Sequence, residues 1–203
     1  MSPFLIDPAL RIRRAIHAND PLLAQRILKS HPNMLHNPDT SPRGLSNSNL
    51  HLAASLGHTE VGFIDSVLAL AEHNPASIPR RDARGRDAIM EASLGGHDTV
   101  LQILLTWDPE GAAAAVSRAD ADGNTALHFA SSNGNLLVLR TLLAAGADPD
   151  RRNVWNWTAI SYSATVAAEV YLKGLVAEAQ RKKLAQRESE KAGGVRVVDQ
   201  PEA

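Results

Sequence analysis

Apolar residues recur along this chain every three or four positions, in short runs that glycine, asparagine or proline cuts off. Leu10, Ile12, Ala15 and Ile16 form one such run, and Leu22, Leu23, Ile27 and Leu28 form the next. Further runs follow at Val61, Ile64, Val67 and Leu68, at Val100, Ile103, Leu104 and Leu105, at Leu136, Leu139, Leu142 and Leu143, and at Val170, Leu172 and Leu175. That period gives each run one apolar stripe on a short helix. Three of these helices are preceded by slimmer ones, built around Leu50-His51-Leu52-Ala53-Ala54, Ile89 with Ala92, and Ala126 with Ala130 and Ser131, which end at Gly57, Gly96 and Gly134. Ser48, Asp87, Thr125 and Thr158 stand where an oxygen can receive an unpaired first-turn amide. Upstream of the last three caps lie tight turns, Asp82 to Gly85, Asp120 to Gly123 and Asn153 to Asn156. Helix pairs that each bury one stripe need neighbours on both sides, so the expected architecture is an all-α stack.

Spacing turns the stack into a repeat. His51, Met90 and His128 are 39 and 38 residues apart, and Thr125 and Thr158 are 33 apart. The unit is fullest over 120–152, where Asp120, Gly123, Thr125, Leu127, His128, Ala130, Gly134, Leu139, Leu142, Leu143, Gly146, Ala147 and Asp148 follow one another. This segment resembles an ankyrin repeat, whose period is about 33 residues. The resemblance implies an ankyrin-repeat solenoid of about five units, near 9–36, 43–74, 82–108, 120–150 and 153–178, the first and last acting as caps. Residues 1–8 are a lead-in, 179–192 a charged helical extension, and 193–203 a tail expected to be disordered. The longer steps place extra residues at 73–80 and 108–119, where they are expected to lengthen the edge of the array. The fourth copy departs from the pattern: Asn156 stands for the turn glycine, Ser161 for the histidine and Ala167 for the inter-helix glycine.

Composition changes this picture little. With 44% hydrophobic but only 4% aromatic residues, the core is one of Leu, Ala, Ile and Val in slender helices, and a formal net charge of -1 asks for no nucleic acid. The absence of cysteine excludes disulfides and thiolate-held metals and fits a reducing compartment. No apolar run approaches the length of about 20 residues that a transmembrane helix needs, and the N-terminus has neither the basic start nor the apolar stretch of a secretory signal. The chain is therefore expected to be cytoplasmic. Its eight histidines show no metal-binding or catalytic spacing, and no phosphate loop or nucleophile elbow occurs. No catalytic residue, metal or cofactor is expected.

What remains is binding. Arg80, Arg81, Arg84 and Arg86 crowd one turn, and Arg151 and Arg152 enter another two repeats on. They form either a solvated edge or a site for a carboxylate or phosphate, which a guanidinium grips with two parallel hydrogen bonds. Trp155 and Trp157 bracket Asn156 in a turn that would ordinarily be polar. One can pack beneath the terminal helix; the other can anchor a partner. The basic run Arg181-Lys182-Lys183 is diluted by Glu178, Glu188 and Glu190 and suits a solvated helix better than a membrane surface.

The ankyrin resemblance implies a concave surface of finger tips and first helices that binds other proteins. Carried to this chain, the partner-binding positions are Arg81, Arg84 and Arg86, then Asp122 and Asn124, then Arg152, Trp155 and Trp157, with Leu56, Leu94, Asn133 and Thr165 at the variable ends of the first helices. The order of segments also resembles the ankyrin-repeat subunit of fungal target-of-rapamycin complex two, through Leu10-Arg11, Ala15-Ile16, Pro32, Leu35, Asn37 and the stretch 157–173, departing from it at 44–47. That resemblance implies a non-catalytic scaffold or regulator whose partners are subunits of a target-of-rapamycin kinase complex, with peripheral association at the plasma membrane only through them. The alternatives are a free-standing adaptor or inhibitor of one protein, and a binder of anionic lipid or phosphate through the arginine ridge.

Overall fold

The computed structural model describes residues 7–32, 34, 45–57, 78–108 and 110–193. The expectations for the second-helix stripe at 61–68, for Leu35 and Asn37 and for the tail beyond 193 lie outside the described residues. Nine helices are described: α1 (Pro8–His17), α2 (Pro21–Ser30), α3 (Asn49–Leu56), α4 (Ala88–Gly95), α5 (Asp98–Trp107), α6 (Ala112–Ser117), α7 (Ala126–Ser132), α8 (Leu136–Ala144) and α9 (Val166–Gly193). Helices α3, α4 and α7 are the slim first helices and pack side by side, while α5, α8 and α9 form the outer layer. One core runs through the stack. Ile12, Ile16, Ile78, Ile89, Met90, Leu101, Leu104, Leu127, Leu139, Leu142 and Leu172 are all fully buried.

The polar turns between repeats make a ladder of fingers. Within each finger one side chain accepts two backbone N–H groups. Asp82 Oδ1 takes those of Arg84 and Arg86 (2.8 Å each), Asp120 Oδ1 those of Asp122 and Asn124 (3.0 and 2.7 Å), and Asn153 Oδ1 those of Trp155 and Trp157 (3.1 and 3.0 Å). Between fingers, one backbone bond recurs at the same place. Ala83 N donates to Leu45 O (2.7 Å), Ala121 N to Arg84 O (3.0 Å), and Val154 N to Asp122 O (3.0 Å). A side chain on Gly85 would collide with this ladder, its Cβ falling 2.9 Å from Ala121 N, and one on Gly123 would lie 3.2 Å from Asn153 Cα. Asn156 holds the same left-handed backbone (φ 64°) with a side chain, because no finger follows it.

Two local features differ from the sequence reading, and a third adds to it. Arg13 turns inward from α1 and donates to Asn47 O (2.6 Å), tying α1 to the segment before α3. The extra residues at 108–119 do more than lengthen an edge, since they hold α6 and bury Asp108. In the last unit, 159–162 forms turns where a first helix stands in the other repeats, and α9 then runs without a break through 178 into the charged extension.

Candidate functional site: a ridge of fingers beside the first helices

The finger tips Arg84, Asp122 and Trp155 occupy the same place in successive repeats, and all three are exposed. The ladder fixes their order, so the ridge passes from cationic to anionic to aromatic. On the first helices the equivalent row is Leu52, Glu91 and Phe129, and Tyr162 continues it in the turns of the last unit. Trp157 leans on Tyr162 with ring centroids 5.7 Å apart at 60°, and Tyr162 meets His128 edge-on at 6.0 Å. Neither tryptophan is packed beneath the terminal helix, since both are 52% exposed. The C-terminal end of this face is therefore an aromatic corner.

Two of the expected partner-binding residues are not at the surface. Arg86 is buried because Asp82 and Glu91, 3.3 and 3.1 Å from its Nη2, draw it into the scaffold. Burial pushes the Glu91 carboxyl above the usual carboxylate range, and Arg86 opposes that shift. Asn124 is buried because its Nδ2 reaches Asp120 Oδ2 (3.3 Å) and its Oδ1 accepts from Asn153 Nδ2 (2.9 Å). Both residues hold fingers together and cannot touch a partner without breaking those bonds.

The remaining positions divide into struts and free groups. Arg81 is exposed, yet its Nη1 donates to Gly85 O (2.7 Å) and to Ala119 O of the next finger. Arg152 Nη1 donates to Asn156 O (2.8 Å), and Arg151 Nη1 to Ser117 O (2.7 Å). Three guanidiniums of the expected basic ridge are thus partly engaged by carbonyls. Asn133 donates to Leu94 O (2.8 Å) and Thr165 Oγ1 receives Ala168 N at the start of α9 (3.1 Å), while Leu56 and Leu94 are half-buried at helix ends. Asp122, Arg84, Trp155 and Trp157 keep their side chains available.

Rigidity beneath the ridge comes from side chains that cross between repeats. His51 Nε2 meets Arg86 O (2.9 Å), and His128 Nε2 meets Trp157 O (3.1 Å). A carbonyl only accepts, so the proton sits on Nε2 in both rings, and Nδ1 faces the capping hydroxyl of Ser48 (2.7 Å) or Thr125 (3.0 Å). Burial lowers both imidazole pKa values, against the opposing pull of those carbonyls. Met90 stands in the same register and offers no donor. There Arg118 makes the crossing: its Nε lies 2.9 Å from Asp87 Oδ2, Nη2 pairs with Asp108 and Nη1 lies 3.1 Å from Glu110 Oε2. Asp87 also caps α4 by accepting Met90 N (2.9 Å). Burial raises its carboxyl above the usual range, while the Met90 amide and Arg118 oppose that shift. Burial would lower Arg118, but hydrogen bonding to Asp108 and the charges of Asp87 and Asp108 hold it above its ordinary value. The signal for this clamp was the insertion itself, although nothing in its spacing named the partners.

Residues 64–153 match the family model for ankyrin repeats (3 copies). The fold is the ankyrin-repeat solenoid. No curated protein matches the chain. Among the described residues of this array no three acidic or histidine side chains gather as a metal site, and no helix is long and apolar enough to cross a membrane. An ankyrin array presents its variable side chains on a fixed backbone. Here that surface can meet a carboxylate at Arg84, a cation at Asp122 and an apolar group at the tryptophans.

Proposed function

We propose that this chain is a non-catalytic interaction scaffold that holds a protein partner along its finger ridge. The observation that carries the reading is the row Arg84, Asp122 and Trp155, exposed side by side on hydrogen-bonded fingers and ending in the aromatic corner of Trp157 and Tyr162. Tryptophans that are half-exposed on a rigid frame lose little side-chain entropy on binding, which makes them the anchor. Charge at Arg84 and Asp122 selects the partner and its direction. The alternative of an anionic lipid or phosphate ligand rests chiefly on Arg80 and Arg84, because carbonyls already engage Arg81, Arg151 and Arg152.

For the partner we propose subunits of a target-of-rapamycin kinase complex, on the sequence resemblance at 10–16, 32–37 and 157–173, with a cytoplasmic location and membrane association only through the complex. Copurification from the native cell tests both levels. Recovery of a large kinase assembly supports the subunit, whereas a one-to-one complex with some other protein supports a free-standing adaptor. Trp155→Ala with Trp157→Ala should weaken capture of the copurifying partner by about tenfold or more. The melting temperature should hardly change, since both rings are half exposed and these residues support the finger chiefly through backbone groups that alanine keeps. Undiminished capture by that variant would rule out the aromatic anchor.

A further inference from the structure

Both ends of the array leave apolar side chains exposed. At the N-terminal pair Leu10 and Leu22 stand among Arg11, Arg14, His17, Arg26 and Lys29, which face solvent as the outer face of a terminal repeat should. At the C-terminal end the exposed side chains include Val154, Trp155, Val166 and Val170, the last two 76% and 63% exposed. Helix α9 turns Ala168 and Leu172 into the core and leaves its other side uncovered. On that side Ala167, Val170, Gly174, Ala177, Arg181 and Leu184 follow at alternating steps of three and four residues, and all six are exposed. Steps of three and four residues are the spacing at which one helix can lie along another. At its centre a side chain on Gly174 would meet nothing within 4 Å, and Val170, Tyr171, Gly174, Leu175 and Glu178 line a shallow open depression of about 330 Å³.

Length shows which half of α9 needs cover from outside. At 1.5 Å per residue the 28 residues of α9 span about 42 Å, whereas the nine of α8, its neighbour, span about 14 Å. The later half therefore overhangs the stack, with Leu184 59% exposed. Charge divides in the same way. Residues 166–178 carry Glu169 and Glu178 against Lys173, while 179–193 carry Arg181, Lys182, Lys183, Arg187 and Lys191 against Glu188 and Glu190. The half that lies on the array is slightly acidic, and the half that overhangs it is basic.

We propose that α9 is a self-association surface, through which two copies of this chain join end to end with their α9 helices antiparallel. A two-fold axis between Gly174 and Ala177 sets Ala167 against Leu184 of the second copy, Val170 against the aliphatic stem of Arg181, and Gly174 against Ala177. The small residues at the centre let the two backbones approach. Each overhanging basic half covers the uncovered apolar, slightly acidic half of the other copy. A parallel pair would set the basic halves against each other, and like charges in facing positions oppose association.

The lack of cysteine makes the test direct. Full-length Ala167→Cys and Leu184→Cys chains, mixed and mildly oxidised, should give a disulfide between the two variants in preference to either with itself. The unmodified chain should sediment as a dimer at high concentration. Val170→Glu with Leu184→Glu should sediment as a monomer with unchanged helix content and melting, since both positions are exposed. A chain that is monomeric at every concentration, cross-links only between like variants, or a dimer that persists in the double glutamate variant would each overturn the proposal. None of these outcomes bears on capture of a partner by the finger ridge.

Discussion

The junctions on either side of the central repeat do the same work by opposite means. Where α7 meets the last finger, a neutral imidazole crosses from His128 to the Trp157 carbonyl, and His51 makes the same crossing to Arg86 at the first junction. Where α4 meets its successor, Met90 fills the histidine position, and Arg118 crosses to the buried carboxylates of Asp87 and Asp108. A neutral hydrogen bond to a carbonyl desolvates little, and the histidine and the carbonyl it reaches both belong to the repeats themselves. A buried ion cluster must recover the hydration of three charges, and it does so with extra chain: the repeat from Met90 to His128 is longer than the basic period, and α6 together with Asp108, Glu110 and Arg118 lies in the added residues. The difference teaches that Arg118, carried by the insertion at 108–119, bridges the junction where the histidine is missing, and that the two kinds of junction fail under different conditions.

Removing the arginine should have the largest effect. Arg118→Ala leaves two fully buried carboxylates without their partner and is expected to cost about 3–5 kcal/mol, measured as a fall in the urea midpoint. Adding Asp87→Asn and Asp108→Asn to that variant should restore part of the loss. A loss below about 1 kcal/mol for Arg118→Ala would mean that the cluster is solvated and that the comparison fails.

Next in size is the ladder that both junctions support. Gly85→Ala forces a Cβ against Ala121 N at a positive φ of 76° and should cost about 1–3 kcal/mol, with hydrogen exchange rising at the Ala121 amide.

Acidity should separate the two kinds of junction by direction. The folded pKa values of His51 and His128 lie below the ordinary 6.5, so the unfolded chain binds more protons between those values and 6.5. The stability these rings contribute is present above pH 6.5 and is lost as pH falls below it. Asp87 runs the other way, because its raised pKa makes its burial a cost at neutral pH that protonation relieves. Urea titrations on either side of pH 6.5 should show the wild type weakening on acidification. His51→Gln with His128→Gln should weaken less, because glutamine cannot titrate, and equal weakening in both proteins would remove the histidines from the account.

Asn156→Gly should have the smallest effect, a change below about 0.5 kcal/mol in the thermal melt. It restores the residue used at Gly85 and Gly123, but no later finger stands against it.

The sequence by itself determined the repeat. The three-to-four spacing of leucines, the caps Ser48, Asp87 and Thr125, and the glycine turns are local signals, and each acts within a few residues of itself. His51 and His128 were legible as equivalent positions of the repeat, and their cap partners lie only three residues away. Only the tertiary structure decided which polar residues are free. Arg84 and Arg86 differ by two positions, yet one is solvated and the other is enclosed by Asp82 and Glu91. Asn124 looks like a finger-tip amide until Asn153, 29 residues later, closes over it. Arg118 meets Asp87 across 31 residues, and no periodicity announces that contact. Hydrophobic spacing repeats along the chain and can be read from one strand of text, whereas the burial of a charge depends on which distant groups folding brings within about 3 Å of it.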